Sequence, residues 1–208
     1  MNLDHHDGFL APCRVLDCTD HRGLLAGHIL AQLGADVVQM EPPAGSDGRR
    51  QHPIDPDGRK DENSFYWAAY ASGKRSIVCN PRANPETWRR LICAADILLE
   101  SAAPSDGRPA WLDPEATAAL NPRLVHVSIT PFGLTGPKRD WLESELTLWA
   151  AGGPLHLTRD HEDRPLRISV PQAYLHGAAT AAGAALIAHV ERVRSGMGQH
   201  VDLSIVQT

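Results

Sequence analysis

Residues 13–41 read CRVLDCTDHRGLLAGHILAQLGADVVQME, and three patterns follow one another inside them. Cys13–Cys18 is a short, mostly apolar run of strand length. Gly23–Leu33 then places Leu24, Leu25, Ile29 and Leu33 at helical spacing. Gly34 closes that helix, and Ala35–Glu41 is a second strand, stopped by Pro42-Pro43. Two strands joined through one helix at this spacing predict a parallel βαβ unit with a right-handed crossover.

The alternation continues outward from there. Ser76–Cys79 reads as a third strand, Pro85–Ala95 as a helix and Asp96–Glu100 as a fourth strand. Asp113 begins a helix to Leu120, with the acid as cap and Pro114 in the first position. Leu124–Ile129 is a fifth strand, followed by the turn Pro131–Pro137, a helix over Ser144–Ala151 and a polar hairpin-like loop. Ala173–Arg192 is then almost entirely Ala, Gly, Leu, Ile and Val. Its Gly177 and Gly183 each cost up to about 1 kcal/mol against Ala in a helix, which is tolerated where a neighbour must approach closely. Ser195–Gly198 stops this helix, and Gln199–Ile205 alternates polar and apolar like a last strand. Ala44–Asn63 is a long loop rich in Gly, Pro and charge, and Ser64–Ala71 (SFYWAAYA) is an aromatic cluster. The expected fold is α/β, an open doubly wound parallel sheet.

Composition narrows the function classes. The chain has 208 residues, 42% hydrophobic and 22% charged, enough for one sizeable domain core. A net charge of −5 without a basic stripe argues against a nucleic-acid partner. No apolar run approaches the roughly 20 residues of a membrane helix, and the segment MNLDHHDGFL lacks a signal-peptide pattern. No membrane partner and a cytoplasmic location are therefore expected. Cys13, Cys18, Cys79 and Cys93 lack CxxC spacing and read as buried free thiols rather than a metal or disulfide framework. Eleven His include no HExxH and no tight helical pair, so no metal is expected. His5 and His6 stand in the terminal segment, and His189 and His200 read as packing or surface residues. The first βα turn, Thr19-Asp20-His21-Arg22-Gly23, lacks the glycine pair of a dinucleotide site. Lys74-Arg75, after Gly73, reads either as a phosphate-holding pair or as an exposed basic turn.

Five segments together resemble the family III CoA-transferases, the group of formyl-CoA and carnitine CoA-transferases and α-methylacyl-CoA racemases. They are Val15–Pro43, FYWAAYASGKRSIVCN at Phe65–Asn80, ADILLES at Ala95–Ser101, LNPRLVHVSITPFGLTGP at Leu120–Pro137, and Val170–Asp202. The resemblance implies a Rossmann-like open sheet in an interlocking dimer, with residues 1–208 as the N-terminal part of the large domain. By the same resemblance, the family's second domain and C-terminal return are expected to be absent from this chain. It implies transfer of CoA, as an acyl-CoA substrate, to a small carboxylate, by attack of an Asp carboxylate on the thioester. That Asp stands in a pattern like V-P-x-A-D-L-x-A-G, and here its position holds Tyr174. No acid occurs between Asp163 and Glu191 to replace it in a shifted register, and a phenol cannot form the acyl anhydride. The family's acidic residue after the FGxTGP turn corresponds to Glu145. Lys74 and Arg75 match the basic pair of N-K-R-S-I near the CoA nucleotide. Ser101 and Ala102 fall in the CoA-contacting E-N-F turn, and Arg22 precedes the position of A-G-P in the first turn.

Three readings follow. The chain is an Asp-less subunit or domain that acts with an Asp-bearing partner, as in two-subunit benzylsuccinate CoA-transferases. Or it is a racemase- or lyase-like acyl-CoA enzyme using Glu145 or a His such as His176 as base. Or it is a CoA-binding module without catalysis.

Overall fold

The computed structural model describes residues 8–57 and 64–208; the expectations for His5, His6 and the end of the long loop lie outside them. Six strands form one all-parallel sheet: β1 (Arg14–Cys18), β2 (Asp36–Glu41), β3 (Arg75–Val78), β4 (Ile97–Glu100), β5 (Val125–Thr130) and β6 (Gln199–Ser204). Their spatial order is β3-β2-β1-β4-β5-β6. Chain order runs outward from β1 on one side and from β4 on the other. The reversal leaves a crevice beyond the carboxyl ends of these two central strands, where open α/β sheets bind ligands.

Side chains alternate across the sheet, so neighbours in one strand serve different cores. Val15, Val37, Ile97, Leu99, Val125, Val127 and Ile129 face one layer, built from α1 (Leu24–Gln32) and α7 (Gln172–Ser195). Leu16, Met40 and Leu98 face the other, where Trp88 and Ile92 of α3 (Pro85–Ala94) pack near α4 (Pro114–Leu120). Each fully buried aliphatic side chain contributes about 1.5–3 kcal/mol relative to exposure.

The helix α7 runs 24 residues and ends on Gly196 at φ 77°, whose N–H donates to the Arg192 carbonyl. Ala178, Ala181, Ala182 and Ala185 are essentially fully buried, which lets α7 lie close on α1, β5 and β6. The close-packing rationale holds for Gly177, where a Cβ would come 2.9 Å from Ile205 Cγ1. It fails for Gly183, which faces open space because that side of the helix is uncovered.

Other departures are local. The aromatic stretch is a helix, α2 (Phe65–Tyr70), because Ser64 Oγ accepts the Trp67 N–H as an N-cap. The long loop includes a 3₁₀ turn over Asp47–Arg50. After α5 (Glu145–Gly152), α6 (Pro154–Leu157) interrupts the polar loop, which pairs Arg159 with Pro165. All four cysteines are free, but Cys93 is exposed rather than buried, since it lies on the outer side of α3 next to Ile92. No helix among the described residues is long and apolar enough to cross a membrane.

Candidate functional site at the central crevice

The loop after β1 and the residues after β4 are tied together at the reversal point: the Asp20 N–H donates to Ser101 Oγ at 2.8 Å. Arg22 turns back into the crevice from the β1 loop, its side chain only 8% exposed. Its Nε donates to both Asp20 carboxylate oxygens, and its Nη2 to Asp20, to the Ser101 carbonyl at 3.0 Å and to Asp106 at 2.8 Å. The remaining edge, Nη1, donates to Glu143 Oε1 at 3.2 Å. Burial disfavours the cation, but the Asp20 and Asp106 carboxylates outweigh it and raise the pKa further.

The second oxygen of Glu143 accepts the Tyr174 hydroxyl at 2.6 Å. Tyr174 is the third residue of α7 and 7% exposed, so α7 aims the phenol directly at the crevice. Burial first, and then the Glu143 carboxylate, push its pKa well above the usual phenol range. The His21 ring stands edge-on to the Tyr174 ring at 5.4 Å between centroids. His21 Nδ1 lies 2.5 Å from Asp47 Oδ2, and the His21 carbonyl accepts the Tyr66 hydroxyl at 2.7 Å. Burial opposes the imidazolium, but the Asp47 hydrogen bond and the charges of Asp20 and Asp47 prevail, so the His21 pKa is raised.

Of the residues singled out from sequence, Arg22, Ser101 and Tyr174 meet at this crevice. Glu145 sits beside it, where its Oε1 accepts the Ala173 N–H at 2.9 Å and caps the start of α7. Its Oε2 is buried without a partner among the described residues, and burial raises the Glu145 pKa against that backbone hydrogen bond. The Ala102 N–H donates to Glu100 Oε2, and just beyond it opens a cleft of about 550 Å³ lined by Pro104, Gly107, Arg108, Leu134 and Arg139. Lys74 lies elsewhere. Its side chain is 1% exposed, and Nζ donates to Asp17 Oδ2, the Leu24 carbonyl and Gln39 Oε1 at 2.7–3.0 Å. All three ammonium protons are thus engaged within the chain. Arg75 points to the surface and pairs with Asp36. His176 is exposed, on another side of α7 from Tyr174, and lines a separate cleft with Trp149 and Thr208.

Sequence reasoning missed Glu143, His21 and Asp47. The first stands in no periodic segment, so nothing in the sequence marks it. His21 lies between Asp20 and Arg22 in the first βα turn, and its place at the reversal point was the available signal. Ligand atoms of Asp20, His21 and Asp47 lie within 4.8 Å of one another, yet Asp20 is held by Arg22 and Asp47 by His21, so a cation would compete with both.

The family profile described as CoA-transferase family III matches residues 10–208. The chain is 36% identical over 196 residues to the succinyl-CoA:(R)-benzylsuccinate CoA-transferase subunit BbsE of Thauera aromatica, covering 93% of this chain and 48% of that protein. It is 33% identical over 190 residues to the succinate–glutarate CoA-transferase of Agrobacterium fabrum, covering 88% and 47% respectively. Among solved structures, a CAIB/BAIF family protein from Brucella suis matches with a TM-score of 0.86 and 33% identity, over 95% of this chain and 53% of that one. The chain spans about half the length of the curated relatives it matches.

Proposed function

The chain belongs to CoA-transferase family III, and from that premise we propose that it takes part in moving CoA from an acyl-CoA to a carboxylic acid as a portion without its own nucleophile. The observation that carries this reading is Tyr174. Where the family resemblance expects an Asp there is a buried phenol, bonded to Glu143 and with a raised pKa. It can neither ionise near neutrality nor form an acyl anhydride. The attacking carboxylate then comes from an Asp-bearing partner subunit or domain. The name of the Thauera aromatica relative, a subunit, supports an assembly of this kind. The acyl-CoA would lie against the Ser101-Ala102 turn and the cleft beside Arg139, an exposed cation that pairs with Asp140 through Nε. Arg108 at the same cleft is instead held by Glu100 and by the Ala102 and Leu112 carbonyls. The unpaired thiols fit a reducing, cytoplasmic setting.

The test has two arms. The purified chain should bind CoA in a calorimetric titration, weakened by Arg139→Ala. It should not transfer CoA from succinyl-CoA to a carboxylate until an Asp-bearing family member is added. Turnover by the chain alone would overturn the proposal.

One observation favours a second reading. The His21–Asp47 pair beside Tyr174 has the geometry of an oriented general base, as an acyl-CoA racemase- or lyase-like enzyme would need. Solvent deuterium incorporation into an acyl-CoA by the chain, lost in His21→Gln, would select it.

A further inference from the structure

Glu143 belongs to a segment that is otherwise on the outside. Thr135–Leu142 is exposed throughout, with Trp141 at 53% and Leu142 at 81% exposure, and it lies in neither helix nor strand. Gly136, at φ 90° and with open space around it, lies at its start. From this exposed arm the Glu143 side chain reaches inward to 11% exposure. There its two oxygens meet two donors from separate elements, Arg22 Nη1 of the β1 loop and the Tyr174 hydroxyl of α7. Each oxygen takes one donor, which is how proteins bind a free carboxylate.

We infer that Arg22 and Tyr174 form a binding site for a small carboxylate, which Glu143 fills as an internal ligand and which an acid in solution enters when the exposed arm withdraws. This deepens the proposed function by placing the acid, and it rests on that reading only for which acid is physiological.

The surroundings set the ligand class. Asp20 and Asp106 set two negative charges against the single positive charge of Arg22, so a dianionic phosphate would meet net repulsion. A carboxylate brings one negative charge, the same that Glu143 now places there, so exchanging the one for the other leaves the charge balance of the site unchanged. One guanidinium N–H and one hydroxyl match two carboxylate oxygens and leave a third phosphate oxygen without a donor. A tethered occupant competes at an effective concentration in the millimolar range, so the intact chain should respond only to millimolar acid or more.

The experiment removes the occupant. Thermal unfolding of the full chain and of Glu143→Ala is followed in acetate, succinate, chloride and phosphate at matched ionic strength. In the variant, acetate or succinate at about ten times its Kd should raise the midpoint by about 3 °C over chloride. Phosphate should do no more than chloride. The gain should vanish in Glu143→Ala/Tyr174→Phe, and the unmodified chain should need a higher acid concentration for the same shift. If Glu143→Ala does not fold, Glu143→Gln keeps the shape with a weaker hold on Arg22, and it should respond at lower acid concentration than the unmodified chain. A folded variant indifferent to acetate and succinate, or equally stabilised by phosphate, overturns the inference. No CoA is present in this assay, so that outcome leaves the transferase reading standing, and failure of CoA binding leaves this one standing.

Discussion

Lys74 Nζ donates to Asp17 Oδ2 at 2.7 Å, with the two side chains 1% and 0% exposed. The pair lies under α1, where the Leu24 carbonyl and Gln39 complete the ammonium's shell. Removing one partner of a buried pair leaves an uncompensated charge, at a cost of about 3–5 kcal/mol. Lys74→Ala should therefore lower stability by that amount in urea titration. Arg75→Ala, which breaks an exposed pair with Asp36, should change it by less than about 1 kcal/mol. Equal losses for the two would contradict this division of labour.

Glu41 is 2% exposed and accepts from Arg49, Ser76 and the Ser46 N–H. The Arg49 hydrogen bonds are the main cause that holds its pKa at about 2, against the opposing effect of burial. A carboxyl with a depressed folded pKa stabilises the fold above its unfolded pKa, and that stability is lost as pH falls toward the folded value. The lowering from 4.5 to about 2 corresponds to roughly 3 kcal/mol. Stability measured between pH 5 and pH 2 should fall by that order from this group, and Glu41→Gln should flatten the decline. An unchanged slope in the variant would show that Glu41 does not carry it.

The two glycines of α7 should respond with opposite signs. Gly183→Ala places a methyl in open space and adds helix propensity, a gain of about 0.5–1 kcal/mol. Gly177→Ala puts a Cβ against Ile205, so crowding should cancel or exceed that gain. Chemical denaturation of the two single variants is a sufficient comparison, and a stabilised Gly177→Ala would mean that Ile205 yields freely.

Tyr174→Phe removes the hydroxyl that Glu143 accepts and leaves that carboxylate with Arg22 as its one partner at the site. Loss of a hydrogen bond to a charged group costs about 1.5–3 kcal/mol. The variant should unfold earlier by that amount at neutral pH. In a Glu143→Gln background the same change should cost less, since the acceptor is then uncharged. Identical costs in both backgrounds would show that Tyr174 and Glu143 are not coupled.

Much of the fold was legible because strand and helix periods depend on neighbours in sequence. Val15, Val37, Ile97 and Val125 mark strands buried on both faces, and Gly34 and Gly196 stop helices where a left-handed residue is needed. Family membership was legible in the same way, through short segments in a fixed order. The α2 helix was less so, because its Ser64 cap competes with an aromatic composition typical of strands.

The order of elements, the parallel sheet and the presence of Tyr174 where the resemblance expects an acid could all be read from local pattern. The roles of the charged residues emerge only once the chain is folded. Lys74 and Arg75 are adjacent in sequence, yet one is buried on Asp17 and the other lies at the surface on Asp36. Glu143 and Tyr174 stand 31 residues apart and share one hydrogen bond. The difference is one of range. Periodicity and capping act over a few residues and are written locally, whereas a buried charge takes its role from whichever partners the packing of distant elements brings within hydrogen-bonding distance.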